Sequence, residues 1–160
     1  MAKGAKGFSL IELLIVVAII LVIAAIAIPN FLRSRTAANQ SSAVASLHTL
    51  GIAEMTYAST YGGGYSYVMS YLSPPTGNGG PTSTAAGLID SVLATGVKSG
   101  YNFTYSPGAV DNSGRVNAFS FIANPISSST GTQYYYTDDS GVIRQNSTAT
   151  AGTTDSPVGS

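Results

Sequence analysis

The sequence contains no cysteine and no tryptophan, and histidine occurs once, at position 48. Without cysteine no disulfide can close a loop, so the folded chain must depend on packing or on contacts with neighbouring molecules. His48 has no second histidine or cysteine with which to bind zinc, and the sequence offers it no evident acid–base partner. We therefore expect no metal, no other cofactor and no enzymatic activity.

Charged residues are also scarce. They make up 9% of the 160 residues, and seven lysines and arginines balance seven aspartates and glutamates. Domains that bind nucleic acid usually display a cluster of positive charge, so we predict no nucleic-acid partner. The length accommodates one folded domain and an extended helix rather than two full domains.

The dominant feature is a long apolar segment near the N-terminus. Residues 13–28 include no charged side chain and none that forms hydrogen bonds. With the preceding residues, the segment 8–28 reaches the roughly 20 residues that a helix needs to cross a bilayer. Glu12 lies inside this segment, where a carboxylate is costly. We predict that Glu12 is neutralised, paired or held near the membrane interface.

The residues before the apolar segment suggest proteolytic processing. Lys3 and Lys6 form a basic head, and Gly7 separates it from Phe8. A secretory signal is cut after its apolar stretch, whereas a cut here would fall before it, between Gly7 and Phe8. That cut would leave an amino group on Phe8, one helical turn from the Glu12 carboxylate. The two charges could then pair within one chain or between chains.

This N-terminus resembles that of type IV prepilins and of their pseudopilin relatives. The resemblance rests on Lys6-Gly7-Phe8-Ser9-Leu10-Ile11-Glu12, on the apolar run that follows, and on Ile28-Pro29. It covers about the first thirty residues of the chain. The combination of a basic head, a glycine, a phenylalanine, a glutamate four residues later and a long apolar run makes the motif specific.

The resemblance implies roles for four residues. Gly7 is the last leader residue recognised by an inner-membrane prepilin peptidase, and Phe8 is the mature N-terminus, which that enzyme class also N-methylates. Glu12 pairs in the filament with the Phe8 amine of an adjacent subunit, because charges are tolerated in a dry core only as pairs. Pro29 marks a bend in the helix, in keeping with its missing N–H.

The fold implied is α+β, the type IV pilin fold, in which the second half of one long N-terminal helix packs on a four-stranded antiparallel sheet. Apolar residues after Pro29 recur at spacings of three and four, and Gly62-Gly63-Gly64 ends the helix. The predicted packing stripe comprises Ala43, Val44, Leu47, Leu50, Gly51, Met55, Ala58 and Tyr61. Glu54, beside this stripe, is predicted to be solvated or to face the domain, with a subunit contact as the alternative.

The predicted division of the chain has six parts. They are a leader (1–7), an apolar transmembrane or filament-core half of the helix (8–29), an amphipathic half (30–61), a loop with a short helix at 85–95 (62–100), a sheet (101–145) and a Ser/Thr-rich tail (146–160). The tail contains no residue that we expect in a core. It is either disordered or a substrate for O-linked sugars.

Strand-like alternation begins at Tyr101. Predicted strands at 101–105, 116–122, 134–137 and 142–144 are joined as two hairpins, each with a D-x-S-G turn in which glycine supplies a positive φ. Asp138 and Asp139 in the second turn provide too few oxygens for calcium, so we interpret them as turn residues. Most of the ten tyrosines and five phenylalanines are assigned to core filling, with charge transport along a fibre as the alternative.

The resemblance implies a structural subunit of a bacterial type IV pilus, used for adhesion, motility or DNA uptake. Its partners would be further copies of itself in a helical homopolymer, the inner membrane before assembly, the prepilin peptidase, and the pilus assembly platform with its ATPases. Its final location would be an extracellular filament. The alternatives are a pseudopilin of a type II secretion system and a minor pilin. The major pseudopilin pattern includes an Asp-Pro-Trp-Gly stretch, and this sequence has no tryptophan.

Overall fold

The computed structural model describes residues 7–159, so the predicted basic head with Lys3 and Lys6 lies outside the described residues. The helices are α1 (Leu10–Tyr61) and α2 (Ser91–Ala94), and a 3₁₀ turn spans Met69–Leu72. The strands are β1 (Val97–Lys98), β2 (Tyr101–Pro107), β3 (Phe119–Pro125), β4 (Tyr134–Asp138), β5 (Arg144–Asn146) and β6 (Ser156–Pro157). The chain divides into two compact units, a first unit (Met1–Arg35) and a second unit (Thr36–Ser160).

The described part of the first unit is helical from Leu10 onward, and its apolar side chains are exposed on all sides. This helix is long and apolar enough to cross a membrane by length and composition. A helix that is apolar all round is normally covered by lipid or by protein. Pro29 lies inside α1, where it removes one backbone donor, and the predicted bend at this residue stays a prediction.

In the second unit, α1 packs against the sheet through a face that differs in part from the predicted stripe. The buried residues of α1 are Ala43, Ser46, Leu47, Leu50, Ala53, Glu54 and Tyr57. Met55, which we assigned to the stripe, is 46% exposed. The predicted stripe was wrong here because it included Met55 and left out Glu54 on polarity alone, although a domain-facing Glu54 was one of our alternatives. A carboxylate can be buried where hydrogen-bond donors satisfy its oxygens. The buried face of α1 therefore includes Glu54, at helical spacing from Leu47 and Leu50.

The sheet is an antiparallel meander of six strands in chain order, β1 to β6. The predicted four strands correspond to β2–β5, so the predicted number was wrong. The two additional strands are two-residue edge strands, which are too short to produce a pattern of alternation. Buried side chains of β2 and β3, including Tyr101 and Phe121, join Leu47 and Leu50 of α1 in one core.

The second predicted strand starts three residues later than expected, at Phe119 rather than Val116. Val116 instead forms isolated bridges with Gly64 and Val110. The backbone at Gly64 has a φ of +83°, and a Cβ there would overlap the carbonyl oxygen of Val116. This close approach requires glycine. It ties the loop after α1 to the segment before β3.

Both D-x-S-G segments form turns whose glycine has a positive φ, as predicted: +80° at Gly114 and +73° at Gly141. The second turn connects β4 to β5. The first lies in a longer loop, where Asp111 Oδ1 accepts hydrogen bonds from the backbone and hydroxyl of Ser113. These hydrogen bonds lower the pKa of the Asp111 carboxyl.

The predicted short helix at 85–95 is shorter in the structure and comprises Ser91–Ala94. Asp90 caps it by accepting a hydrogen bond of 2.9 Å from Leu93 N–H, and its other oxygen lies 2.9 Å from Lys98 Nζ. The cap explains where the helix begins, because a capping residue has an extended rather than a helical backbone. Ile89, before the cap, is buried without being helical.

The tail is folded, which contradicts the first of our two alternatives, disorder, whereas modification by O-linked sugars stays a prediction. Strand β6 pairs with β5, and Ala151 is only 3% exposed. The Asp155 carboxylate accepts hydrogen bonds from Asn146 Nδ2 (2.9 Å) and from Gly152 N–H (2.8 Å). Arg144 donates to the Asp155 carbonyl oxygen. Composition indicated disorder because the tail has few apolar residues, and composition contains no information on which polar groups form hydrogen bonds with each other.

Candidate functional site

The predicted cleavage and methylation positions, Gly7 and Phe8, lie before the first turn of α1. Both residues are exposed, and the Phe8 side chain is 83% exposed. Within the described residues, no atom beyond those of Gly7 and its chain neighbours lies within 4 Å of the position that a Cβ on Gly7 would occupy. A backbone outside regular structure can enter an enzyme's cleft in an extended form. The geometry is therefore compatible with processing between these two residues.

Glu12 has a local role that the sequence analysis missed. Its Oε2 accepts a hydrogen bond of 2.9 Å from the backbone N–H of Ser9. Because α1 begins at Leu10, Ser9 holds the N-cap position and Glu12 the third helical position. This contact is one half of a capping box, whose sequence signal is Ser-x-x-Glu. That signal was present at Ser9 and Glu12, and it could have been recognised.

Glu12 follows Phe8 by four residues, at the start of α1. The Phe8 nitrogen belongs to the peptide bond with Gly7, so a charged amine can arise there only after cleavage. The predicted pair between this amine and Glu12 therefore stays a prediction. The carboxylate at the N-terminal end is also favourable for the helix itself, because it faces the positive end of the helix dipole.

From residue 13 to residue 28, behind Glu12, the side chains are uniformly apolar. Leu10, Leu13, Leu14, Val17 and Leu21 line a shallow groove along α1 that offers no polar atom to a ligand. The first charged side chain after Glu12 is Arg33, which is exposed. The surface is therefore suited to contact with lipid tails or with similar helices, and not to the recognition of a polar molecule.

A family model, the prokaryotic N-terminal methylation motif, matches residues 2–28. The N-terminal segment carries this methylation motif. The match covers the predicted cleavage position, Phe8, Glu12 and most of the exposed apolar helix. The residues of the motif are therefore largely the same residues that form the exposed apolar surface.

Two relatives are similar to this chain over part of its length. The type IV major pilin protein PilA of Myxococcus xanthus is 50% identical over 54 residues, which are 34% of this chain and 24% of that protein. The type IV wide pilus major component PilA4 of Thermus thermophilus is 54% identical over 46 residues, 29% of this chain and 35% of that protein. The matches thus span about a third or less of each relative. No significant match to a solved structure was found.

Glu54 is a second carboxylate with unusual surroundings. It is fully buried and accepts hydrogen bonds from Ser66 N–H (2.8 Å) and Ser66 Oγ (2.6 Å). Burial raises the pKa of Glu54, although the hydrogen bonds from Ser66 act in the opposite direction. Of our alternatives, the domain-facing position is the one observed. Its side chain is inaccessible to a neighbouring subunit.

His48 is exposed on α1, next to a small groove bordered by Met55 and Ile143. Among residues 7–159, no group of three or more histidine, aspartate or glutamate side chains is placed to hold a metal ion.

Asp138 Oδ1 accepts hydrogen bonds from the backbone and hydroxyl of Ser140, which is the turn role assigned to it from the sequence.

Proposed function

We propose that this protein is a structural subunit of a bacterial type IV pilus, which polymerises through its N-terminal helix into an extracellular filament. The observation that carries the proposal is the coincidence of the methylation motif with a helix whose apolar side chains are exposed on every side. Such a surface is unfavourable in water at about 25 cal/mol per Å². It must be covered, first by the inner membrane and then by the same helix of neighbouring subunits.

In this proposal, a prepilin peptidase cuts between Gly7 and Phe8 and methylates the new Phe8 amine. An N-methylated amine keeps its positive charge. Inside the filament it meets the Glu12 carboxylate of an adjacent subunit, and the pair sets the depth at which a new subunit stops. A subunit displaced along the axis would leave both charges unpaired in an apolar environment, which costs several kcal/mol.

The capping contact leaves Glu12 able to form the proposed pair. In the separate chain, the Ser9 N–H already occupies one oxygen of Glu12. The other oxygen is open to a second donor, since a carboxylate has about four lone-pair sites. Glu12 can therefore receive a neighbour's amine without releasing its own helix cap.

The two relatives are named as pilus components, and their similarity supports the proposal of a pilus subunit. The assembly platform and its ATPases would extend and retract such a filament for adhesion, motility or DNA uptake. Pro29 would supply the bend of the helix within the filament. A pseudopilin of a type II secretion system and a minor pilin are the competing outcomes of the test below.

The test is to shear filaments from cells, pellet them, and measure the intact mass and the mass of the N-terminal peptide. We expect an abundant chain that begins at methylated Phe8. A chain that is processed but confined to membranes would contradict a principal pilus subunit. Deletion of the gene separates the classes further: unchanged surface fibres with loss of exoprotein release would identify a pseudopilin.

A further inference from the structure

The second unit contains a cleft that the proposed filament mechanism does not use. It is lined by five tyrosines, Tyr57, Tyr61, Tyr65, Tyr67 and Tyr71. The end of α1, the glycine-rich loop after it and the 3₁₀ turn bring these residues together. The cleft has a volume of about 260 Å³, close to the lower end of the roughly 300–1,000 Å³ typical of small-molecule sites.

The rings are held in place before any ligand binds. Tyr57 donates a hydrogen bond of 2.7 Å to the carbonyl oxygen of Ser83, and Tyr67 donates to that of Gly114. The Tyr57 and Tyr61 rings lie 4.9 Å apart, and Tyr65 packs edge-on against Phe119 at 4.7 Å. A ligand would therefore not need to order these side chains, which lowers the entropic cost of binding.

The hydroxyl groups of Tyr61 and Tyr71 remain available to a ligand. Both side chains are half-buried, and neither hydroxyl bonds to another group within the described part of the chain. Tyr67 is 45% exposed, so the cleft opens to solvent along its ring. The site thus combines rigid aromatic faces with free hydroxyl donors and acceptors at its edge.

The lining is also uncharged. The side chains that line the cleft are those of the tyrosines and Ser83, together with Gly63 and Gly114. The adjacent cation, Arg115, donates a hydrogen bond of 2.9 Å to the Gly62 carbonyl oxygen. Because burying an unpaired charge is costly, this lining favours a neutral ligand.

We propose that this cleft binds a neutral pyranose ring of a carbohydrate. One face of such a ring is formed by C–H bonds, which carry slight positive charge and pack on the negative face of an aromatic ring. Its edge carries hydroxyl groups, which the hydroxyls of Tyr61 and Tyr71 can meet. A ligand that is apolar on its faces and polar at its rim matches this arrangement of rings and hydroxyls.

The experiment uses the full chain in a detergent without a sugar headgroup. The probes are methyl glucopyranoside, methyl galactopyranoside, N-acetylglucosamine, choline and N-acetylneuraminic acid. Binding is measured by saturation-transfer NMR and by tyrosine fluorescence, which no tryptophan emission obscures in this chain. We expect at least one neutral pyranoside to bind, and choline and the acidic sugar to bind more weakly.

Two variants locate the site. Tyr61→Leu removes one aromatic face and one of the two free hydroxyls, and it should weaken binding by at least the roughly two- to twelvefold expected for one aromatic contact. Gly63→Leu should abolish binding, because Gly63 lines the cleft and a larger side chain at this position narrows it, while the backbone has no positive φ and a Cβ meets no other atom within 4 Å. The matched controls, Tyr136→Leu and Gly152→Leu, change the same residue types outside the cleft and should leave binding unchanged.

The proposal is overturned if no neutral pyranoside binds to the folded chain, or if binding survives in Gly63→Leu. Binding of choline alone would indicate an aromatic cage for cations instead. Binding of N-acetylneuraminic acid alone would indicate an ionic site at Arg115. Near-UV circular dichroism of each variant establishes that the second unit is folded, so a loss of binding cannot be attributed to unfolding.

Discussion

At the scale of single residues, the chain has two glutamates, and they occupy opposite environments. Glu12 lies exposed in the first turn of an apolar helix and accepts one hydrogen bond from its own backbone. Glu54 is buried and accepts two from Ser66. The Glu12 carboxylate is accessible to another molecule, whereas the Glu54 carboxylate is enclosed within the second unit and stabilises its fold.

Substitutions at Glu12 separate its charge from its capping role. Glutamine at this position can still cap the helix, whereas valine cannot. If the charge sets subunit register, Glu12→Gln and Glu12→Val should both be processed and inserted in the membrane, and both should lower filament yield by at least about tenfold, since an unpaired buried charge costs about 3–5 kcal/mol. Filament yield is measured by shearing and pelleting. Normal yield from Glu12→Gln alone would assign the requirement to capping.

Glu54 should make the stability of the second unit depend on pH. Its pKa in the folded state is raised above the ordinary value of 4.5, so its contribution is fully present below pH 4.5 and is lost as the pH rises through the folded pKa. We expect the free energy of unfolding, measured by denaturant titration, to fall over this range relative to Glu54→Gln. A constant difference between the two proteins across the titration would refute this assignment.

At the scale of elements, the second half of α1 and the meander are held by apolar packing, whereas the tail is held mainly by polar contacts. Leu47, Leu50, Tyr101 and Phe121 belong to the core that joins helix and sheet. Strand β6 is only two residues long, and the hydrogen bonds around Asp155 accompany its pairing with β5. The two regions should therefore respond differently to substitution.

We expect Asp155→Ala to loosen the tail without unfolding the sheet. The change removes the acceptor for Asn146 Nδ2 and Gly152 N–H, at a cost of about 1–3 kcal/mol. Amide hydrogen exchange should become faster in residues 144–158 and stay unchanged in β2 and β3. Faster exchange throughout the second unit would contradict this view, and Asp139→Ala, in the exposed turn after β4, provides a control.

At the scale of the whole molecule, the two units differ in how far their apolar side chains are exposed to solvent. The buried residues belong to the second unit, and the exposed apolar helix belongs to the first. Folding therefore does not cover the first unit, which needs lipid or other chains. This division is what a protein requires if it is to reside in a membrane and later join a polymer.

A chain that begins at Thr36 should accordingly fold and remain soluble without detergent. Its core is complete, because the cluster that joins helix and sheet runs from Ala43 to Tyr135. We expect the near-UV circular dichroism of the full chain in detergent, and a single species in sedimentation velocity. The full chain without detergent should aggregate. Loss of the near-UV signal in the shortened chain would show that the second unit depends on the first.

Local and periodic features of the sequence were sufficient for several conclusions. The apolar run, Glu12, the glycines after Tyr61 and the central strands all act through contacts between residues close in sequence, or through a repeating pattern. The capping role of Glu12 was equally local, and its Ser-x-x-Glu signal was overlooked. The buried position of Glu54 was not local, because its partner Ser66 is reached only when the loop folds back on the helix.

The sequence by itself determined the methylation motif, the long apolar helix, the α+β class and the order of the central strands. Each of these features depends on residues that are neighbours in the chain or on a pattern that repeats along it. The tertiary structure alone decided that Glu54 belongs to the buried face of α1, that the polar tail is folded, and that five tyrosines line one cleft. These features arise from contacts between residues distant in sequence, whose partners become identifiable only once the chain has folded.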